Sequence, residues 1–363
     1  MIIKDPAVYP RRKSRRVMVG NVPVGDGAPI SVQSMTKTPT ADTRATIAQI
    51  RRLTSLGCDI IRVAVLDKTD AGALADIIRE SPVPVIADIH FDHKLALIAI
   101  NAGVHGLRIN PGNIGAKWKV RELVSAARER ALPIRIGVNG GSLEADLLEK
   151  HAGPKAGALV ESAMRHIGIL EDLGYREIKL ALKASSVPVT LEAYRTIAAM
   201  TEYPLHVGIT ETGLPSRGII VSAVGIGALL AEGIGDTIRV SLTDDPEAEV
   251  VTARRILAAL GLAVEGARVI ACPTCGRTQV DLRHMAEEVE KRLSALPLPA
   301  DRDITVAVMG CPVNGPGEAK DADFGIACGK GSGLLFAGGK QLGKYPEDEL
   351  IDALIGLISD SVK

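Results

Sequence analysis

The strongest constraint on the fold is a regular alternation of short β-branched runs with amphipathic stretches of about ten to sixteen residues. Such alternation is typical of βαβ units, which build a parallel sheet. Eight runs occur before residue 264, which is the strand number of a closed (β/α)8 barrel. The predicted strands are residues 31–35, 60–65, 83–88, 104–110, 134–139, 177–182, 205–209 and 237–242.

The intervening stretches are predicted to be helices, and several of them end in a glycine that suits a left-handed cap. An open doubly wound sheet is the alternative, but no Gly-x-Gly-x-x-Gly follows the first strand. We therefore predict an α/β fold, with a TIM-like barrel over residues 1–264. The clearest predicted helices are residues 43–56, 71–79, 118–130, 158–173, 191–201 and 246–260.

The pattern changes after Gly261, where the strict alternation ends. The remaining elements predict a smaller α+β domain over residues 265–363, with cysteines where its strands end. Residues 325–339 are dense in glycine, and the glycine run 329–333 is interpreted as tight turns. The predicted elements are strands 268–271 and 304–309 and helices 280–293 and 347–359.

Composition excludes several classes of function. Lys plus Arg and Asp plus Glu number 43 each, so no overall field favours nucleic acid or an anionic membrane. The amino-terminal segment lacks a secretory pattern, and the apolar run 218–231 is too short to span a bilayer. We expect a cytoplasmic protein. Five cysteines, an odd number, favour metal or catalytic thiols over a disulfide framework.

Cationic side chains recur at the carboxyl ends of the predicted barrel strands, where barrels place their chemistry. An arginine in an otherwise apolar strand is costly unless it is paired or binds an anion. The pattern predicts a phosphate or diphosphate site; internal ion pairs with Asp88, Glu211 and Asp236 are the alternative. The candidate substrate-binding residues are Arg62, Arg108, Asn110, Arg135, Asn139, Lys183, Arg239 and Ser241, and Lys179 is a further strand cation.

Other polar residues at these strand ends suggest further roles. Glu211 follows the seventh strand, and a carboxylate at a barrel mouth can transfer protons, although it could instead be an arginine's partner. His90 and His93 could suggest a metal site, but no third ligand stands nearby in the sequence. We expect both histidines to act as hydrogen-bonding groups.

Two cysteine phrases carry the most specific chemical signal. Cys272-x-x-Cys275 alone suits zinc ribbons and redox dithiols as well as iron–sulfur clusters. Cys311 lies further on in a Pro- and Gly-rich phrase that ends at Glu318, and proline follows both Cys272 and Cys311. Three thiolates and one carboxylate indicate a [4Fe–4S] cluster with one weakly held iron; structural zinc remains the alternative.

The other two cysteines are interpreted separately. Cys58 lies at a strand entrance, away from the barrel mouth, and is expected to be a packed hydrophobic residue. Cys328 could be a neighbour of the cluster, although we do not expect it to be a ligand.

Long phrases in a fixed order make the chain similar to the bacterial short form of (E)-4-hydroxy-3-methylbut-2-enyl diphosphate synthase. That family belongs to the methylerythritol phosphate route of isoprene biosynthesis. The resemblance covers nearly the whole chain. The phrases that carry it are residues 29–36, 108–113, 135–139, 206–211 and 236–242 and the two cysteine phrases, 271–277 and 310–318.

The resemblance implies an iron–sulfur oxidoreductase. It would open 2-C-methyl-D-erythritol 2,4-cyclodiphosphate reductively and release water, with two electrons from flavodoxin or ferredoxin. It also implies a homodimer, a sulfite-reductase-like cluster domain, and Glu211 as a proton donor. The metal ligands it implies are Cys272, Cys275, Cys311 and Glu318, with the carboxylate displaced by substrate oxygen. Cys328 departs from the family pattern, in which glycine is expected.

Two rivals remain open at this point. A redox-inactive barrel isomerase or aldolase on a phosphorylated substrate, with a structural metal site, would need no reductant. A non-catalytic iron–sulfur carrier would have no use for the strand-end cations. A radical enzyme that uses S-adenosylmethionine is disfavoured because Cys-x-x-x-Cys-x-x-Cys is absent from the sequence.

Overall fold

The structure is a computed structural model that describes residues 10–264, 266–299, 303–311, 317 and 322–362. The chain divides into two compact units between Ala263 and Val264. None of the helices in these described ranges has the length and apolar character needed to cross a membrane.

The first unit opens with a short hairpin and continues as eight strands that alternate with helices. The hairpin is β1 (Val17–Val19) and β2 (Val22–Val24). The barrel strands are β3 (Ser31–Met35), β4 (Ile60–Ala64), β5 (Val85–Asp88), β6 (Gly106–Arg108), β7 (Ile134–Asn139), β8 (Ile178–Lys183), β9 (His206–Val207) and β10 (Thr237–Ile238). The helices are α1 (Thr43–Ser55), α2 (Lys68–Glu80), α3 (His93–Ala102), α4 (Lys117–Glu129), α5 (Ala145–Lys150), α6 (Ala156–Asp172), α7 (Val187–Met200), α8 (Pro215–Ala231) and α9 (Pro246–Ala259).

The eight barrel strands form one parallel sheet in the order β8-β7-β6-β5-β4-β3-β10-β9. A parallel bridge between Leu180 and Leu205 joins its two ends. The predicted TIM-like barrel is therefore confirmed. The seventh and eighth strands are shorter than predicted, since they cover only His206–Val207 and Thr237–Ile238.

Local sequence explains where several barrel helices begin and end. The side chains of Asp42, Asp67 and Asp92 accept hydrogen bonds from amide groups in the first turns of α1, α2 and α3. Gly103 ends α3 in the left-handed conformation, at a φ of 93°, which glycine adopts without strain. These turns fix where each βα loop leaves the barrel.

The barrel strands have two chemically different faces. Val32, Ile61 and Val63 belong to the apolar core shared with the surrounding helices. The alternate residues face the barrel interior, because successive strand side chains point to opposite faces. That interior is largely polar and includes Gln33, Arg135, Lys179, His206 and Thr237, all of them buried.

The hairpin closes the amino-terminal end of the barrel, which the sequence analysis did not predict. Val17, Val19 and Val24 form a small apolar cluster with Ile60 and Ile86 from β4 and β5. The apolar plug lies at the end opposite to the one from which the βα loops leave. Among the described residues, this apolar cluster covers the end of the polar interior that lies opposite to the carboxyl ends of the strands.

The second unit contains a mixed five-stranded sheet, with helices after the first and the last of its described strands. Its strand order is β11-β12-β13-β14-β15, and the first three strands are parallel whereas the last two pairings are antiparallel. The tight turn predicted in the glycine run 329–333 lies at residues 330–331, between two strands that the sequence analysis did not predict. The elements are β11 (Ala267–Ala271), α10 (Leu282–Leu293), β12 (Ile304–Met309), β13 (Phe324–Gly329), β14 (Ser332–Ala337), β15 (Lys340–Pro346) and α11 (Leu350–Ser361).

Candidate functional site

A cleft opens at the carboxyl ends of the barrel strands and encloses about 400 Å³ of space, counting its open mouth. Side chains from β4, β6, β7 and β8 and from the loops after β9 and β10 form its walls. Cations and hydrogen-bond donors dominate these walls. The lining residues are Arg62, Arg108, Arg135, Gly137, Asn139, Ala181, Lys183, Thr210, Arg239 and Ser241.

Asp88, at the end of β5, orients two of the arginines. Its Oδ2 lies 3.5 Å from Arg62 Nε, and its Oδ1 lies 3.3 Å from Arg108 Nη1. Burial lowers the pKa of Arg62 to about 10 despite the nearby Asp88 charge, so the guanidinium remains charged at neutral pH. Arg108 Nη2 also donates to the carbonyl of Gly137 at 2.9 Å, which holds the guanidinium against β7.

Arg135 is the most completely buried cation of the cleft, with 2% of its surface exposed. Its Nε and Nη1 atoms have no hydrogen-bond partner among the described residues. Burial, together with the charges of Arg62 and Arg108, lowers the pKa of Arg135 well below its ordinary value. A buried guanidinium with unused donors is unfavourable by itself and is stabilised by an anion that accepts those donors.

Lys183 and Arg239 complete the cationic wall. Lys183 Nζ lies 3.3 Å from His206 Nε2, and burial lowers the pKa of this lysine well below its ordinary value. Arg239 Nη2 lies 3.4 Å from Glu249 Oε2, whereas Arg239 Nε has no partner in the described part of the chain. Lys37 Nζ approaches the same carboxylate at 3.5 Å, so two cations share Glu249.

The three cysteines of the two phrases lie at one end of the second unit's sheet. Cys272 directly follows β11, and Cys311 follows its parallel neighbour β12, with Ala271 opposite Val308 in the register. The amide of Gln279 donates to the carbonyl of Gly310 at 3.3 Å, which ties the loop after Cys275 to the residue before Cys311.

The thiols differ in exposure, and none forms a disulfide. Cys272 is half-buried, Cys275 is exposed and Cys311 is buried. Within the ranges that the structure describes, no group of three or more His, Cys, Asp or Glu side chains is arranged to hold a metal ion. The fourth predicted ligand, Glu318, lies outside the described residues.

Comparison with known families accounts for both units. Residues 14–254 match the model of the GcpE TIM-barrel domain, and residues 268–360 match that of the GcpE protein C-terminal domain. The chain belongs to the GcpE family.

Curated members of the GcpE family align with almost the entire chain. The 4-hydroxy-3-methylbut-2-en-1-yl diphosphate synthase (flavodoxin) of Geobacter sulfurreducens is 58% identical and covers 95% of this chain and 97% of its own length. The protein with the same name from Thermodesulfovibrio yellowstonii is 57% identical and covers 95% of this chain and 98% of its own length. The resemblance stated from the sequence is therefore confirmed.

A solved structure supports the barrel independently of close relatives. The 3-dehydroquinate dehydratase of Geobacillus kaustophilus superposes with a TM-score of 0.51 at 12% identity. The match covers 69% of this chain and 98% of that one. At this identity the likeness concerns the fold alone, and the chemistry of the GcpE-family site has to be argued from its own residues.

Seven of the eight predicted substrate-binding residues line the cleft, and Asn110 does not. Asn110 Oδ1 accepts a hydrogen bond from the amide of Gly137 at 2.9 Å, so it shapes the wall instead of facing the cleft. Thr210 and Lys37 were missed. Their only signal in the sequence is position, since each follows the end of a barrel strand.

The alternative of internal ion pairs holds for part of the set. Asp88 pairs with two arginines, as described above. Asp236 instead precedes β10 and pairs with Arg11 and Arg12 at 3.1 and 3.8 Å, at the closed end of the barrel. Glu211 is exposed, and no ion pair is observed for it in the described residues.

The two histidines after β5 have hydrogen-bonding and packing roles. A ring nitrogen of His90 lies 2.9 Å from Arg108 Nη1, and burial and the Arg108 charge lower the pKa of His90. His93 packs edge-on against Trp118, with ring centroids 5.3 Å apart, and lies 3.7 Å from Glu122. His90 thus helps to hold Arg108 at the cleft.

The two remaining cysteines are buried. Cys58 contacts backbone carbonyl groups at the entrance of β4, and burial raises its pKa to about 12, which keeps the thiol protonated. Cys328 lies in β13, 3.8 Å from the sulfur of Met285, and burial raises its pKa to about 12 as well. Both behave as packed hydrophobic residues.

Proposed function

We propose that this chain catalyses the reductive ring opening and dehydration of 2-C-methyl-D-erythritol 2,4-cyclodiphosphate to (E)-4-hydroxy-3-methylbut-2-enyl diphosphate. The names of its close relatives support this reaction. The single structural observation that carries the proposal is the convergence of five cations on one cleft. In this proposal residues 1–264 bind the diphosphate, and residues 265–363 form a sulfite-reductase-like cluster domain.

The cleft carries more positive than negative charge. Among the described residues only Asp88 and Glu249 lie within ion-pair distance of its cations. Arg135 and Lys183 have no such partner there, although both are buried. A cyclic diphosphate carries two negative charges and presents several acceptor oxygens, so it matches the excess charge and the unused donors.

The chemistry explains why the site needs donors around the diphosphate. Two C–O bonds break, one to a ring phosphate and one to a hydroxyl group, and two added electrons form the new C=C bond. The phosphate oxygen keeps the electron pair of its bond, and the hydroxyl takes one proton to leave as water. Arg62, Arg108 and Arg135 would stabilise the charge that develops on the phosphate.

Glu211 is proposed as the proton donor. It lies at the mouth of the cleft, one residue after Thr210, which is part of the wall. Its φ is 56°, in the left-handed region, and its side chain is exposed in this chain. Asn139 and Ser241 would add neutral hydrogen bonds to the substrate, and they fix its orientation without adding charge.

We propose a [4Fe–4S] cluster held by Cys272, Cys275, Cys311 and Glu318. The placement of Cys272 and Cys311 after neighbouring parallel strands, with the Cys275 loop tied to Gly310, supports a common site. When bound, such a cluster supplies the electrons for reduction. The glycines of both phrases would let the backbone approach the cluster closely.

The proposed electron donor is flavodoxin, with ferredoxin as an alternative, and the proposed location is the cytoplasm. We propose a homodimer. An apolar face on α8 supports self-association: Ile219, Ile220 and Val224 are 40%, 64% and 56% exposed, next to Leu214 at 63%. Contiguous exposed apolar residues of this kind mark protein interfaces.

Two measurements test the proposal. Anaerobically purified protein should contain iron and sulfide, and Cys272→Ser, Cys275→Ser and Cys311→Ser should each lower that content strongly. Cys58→Ala, which removes a thiol packed in the barrel, is the matched control and should retain it. Isothermal titration calorimetry should show binding of the cyclic diphosphate; zinc in place of iron, with turnover without reductant, would contradict the proposal.

A further inference from the structure

A buried lysine without a partner lies in the barrel interior. Lys179 in β8 is 1% exposed, and its Nζ has no hydrogen-bond partner within the described residues. Barrel interiors are ordinarily filled by branched apolar side chains. A buried amine with unused donors costs free energy, and its presence calls for a physical explanation.

The strand register places Lys179 beside the cleft cations. Lys179 is the Cα partner of Arg135 on β7, and Asn139 is the partner of Lys183 four residues further along the same two strands. Arg135 and Lys183 line the cleft, whereas Lys179 does not. Lys179 therefore belongs to the interior face below the cleft, next to an arginine that has unused donors itself.

The groups around Lys179 are almost all cationic or neutral. From β7 it faces Arg135, and from its own strand Lys183. His206 from β9 is close enough to be affected by its charge. The more distant charged groups of the interior are Arg62 on β4, Asp88 on β5, Arg108 on β6 and Arg239 after β10, while β3 contributes the neutral Gln33.

This environment disfavours a charged amine. Burial and the charge of Arg135 lower the pKa of Lys179 to about 7. Burial and the charge of Lys183 lower the pKa of His206 well below its ordinary value, so the imidazole is neutral at physiological pH. An anion that neutralises Arg135 from the cleft side would reverse the unfavourable potential at Lys179.

We propose that Lys179 takes up a proton when a diphosphate binds in the cleft and releases it when the diphosphate leaves. The inference rests on the proposed function only in that the cleft binds a phosphorylated anion. Lys179 would not touch the ligand, and its charged form would be stabilised only while the bound anion offsets the charge of Arg135. No electron transfer is involved.

Proton uptake by Lys179 fixes the direction in which binding depends on pH. Above about pH 7 Lys179 is uncharged without ligand and charged with it, so binding consumes close to one proton. The Kd of the cyclic diphosphate should then rise with pH, by up to roughly tenfold per unit between about pH 7.5 and 9. The ligand cannot supply the proton, because both of its phosphate groups are fully ionised in this range.

The test is calorimetric binding of the cyclic diphosphate to the full chain at pH 8. Titrations in Tris and HEPES, which differ in ionisation enthalpy, give the number of protons taken up. We expect about one proton for the wild type and a clearly smaller number for Lys179→Met. The matched control is Thr237→Val, a buried interior residue on β10 whose hydroxyl also has no partner in the described residues; it should match the wild type.

The outcomes separate this inference from the proposed function. Absence of binding at any pH would overturn the function of the cleft. Binding by the wild type without net proton uptake would overturn the role of Lys179 and leave the proposed function standing. The wild-type titration alone decides this outcome, so it does not depend on whether Lys179→Met folds. Equal proton uptake by the wild type and Lys179→Met would also overturn the role of Lys179, and it would assign the proton to Lys183 or His206.

Discussion

Asp88 holds Arg108 at the mouth of the barrel through an ion pair of 3.3 Å between its Oδ1 and Arg108 Nη1. The other oxygen of this carboxylate lies 3.5 Å from Arg62. All three side chains are largely buried, so removing the carboxylate leaves two desolvated cations without a counter-charge. The cleft therefore depends on one acidic residue for the orientation of two substrate-binding candidates.

Replacement of Asp88 by Asn should lower the free energy of unfolding by about 3 kcal/mol, because two buried guanidinium groups lose their partner. The cyclic diphosphate should restore much of this loss, so its stabilising effect should be larger in Asp88→Asn than in the wild type. Chemical denaturation with and without ligand measures both values. Equal ligand effects in the two proteins would contradict the proposed charge balance.

The same carboxylate predicts a pH dependence of stability. Burial acts to raise the pKa of Asp88. The charges of Arg62, Arg108 and Arg135 together lower it by more, so the pKa lies below its ordinary value. Because the pKa of Asp88 is lower in the folded than in the unfolded state, the stabilisation from its ion pairs is complete above about pH 4. It is lost as the pH falls through the folded-state pKa. Acid denaturation of Asp88→Asn should therefore lack part of the wild-type dependence below about pH 4.

Arg135→Met should separate binding from stability. The buried guanidinium has unused donors, so its removal should leave the free energy of unfolding unchanged or raise it. Binding of the cyclic diphosphate should weaken by about 10- to 100-fold, as expected for the loss of charge-assisted hydrogen bonds. Arg51→Met, at an exposed ion pair with Glu80, is the control and should change neither quantity.

The sequence predicted the barrel well because strand and helix periodicities differ and are repeated eight times. It missed the hairpin, whose strands have only three residues each, too short for a periodic signal. In the second unit the glycine run 329–333 indicated the turn between β13 and β14, but it gave no sign of the two strands themselves. Gly333 lies within β14, where a Cβ atom would approach Leu350 of α11 to 2.4 Å, so glycine is required there for packing rather than for a turn.

The cleft was predictable to a similar extent. Cations at strand ends identify the mouth of a barrel, and seven of the eight predicted residues line it. The sequence could not show that Asn110 points to the backbone of Gly137. That outcome depends on the side to which a residue after a strand end points, and a shift of one residue reverses it. Asp236 lies at the opposite end of the barrel because it precedes β10, and the predicted strand 237–242 already implied this.

The exposed face of α8 predicts the oligomeric state. Ile220→Glu places a charge in the apolar patch and should shift the protein from dimer to monomer at micromolar concentration, because burial of the carboxylate in an interface is unfavourable. Sedimentation or light scattering measures the change. Met200→Glu, on α7 at 53% exposure, is the matched control and should remain dimeric. A wild type that is already monomeric would contradict the homodimer.

Glu211 combines an exposed carboxylate with a strained backbone, and two substitutions separate the two properties. Its φ of 56° costs a non-glycine residue about 1 kcal/mol. Glu211→Gln keeps the backbone and removes the acid, so kcat should fall strongly while Kd for the cyclic diphosphate is retained. Glu211→Gly should also lose turnover, but it should unfold at the same or a higher denaturant concentration than the wild type, because glycine adopts this φ without strain. Ala131→Gly, which relieves a φ of 49° at an exposed site, is the control: it should have the same effect on stability and should leave turnover intact. Full turnover in Glu211→Gln would show that the proton comes from another group.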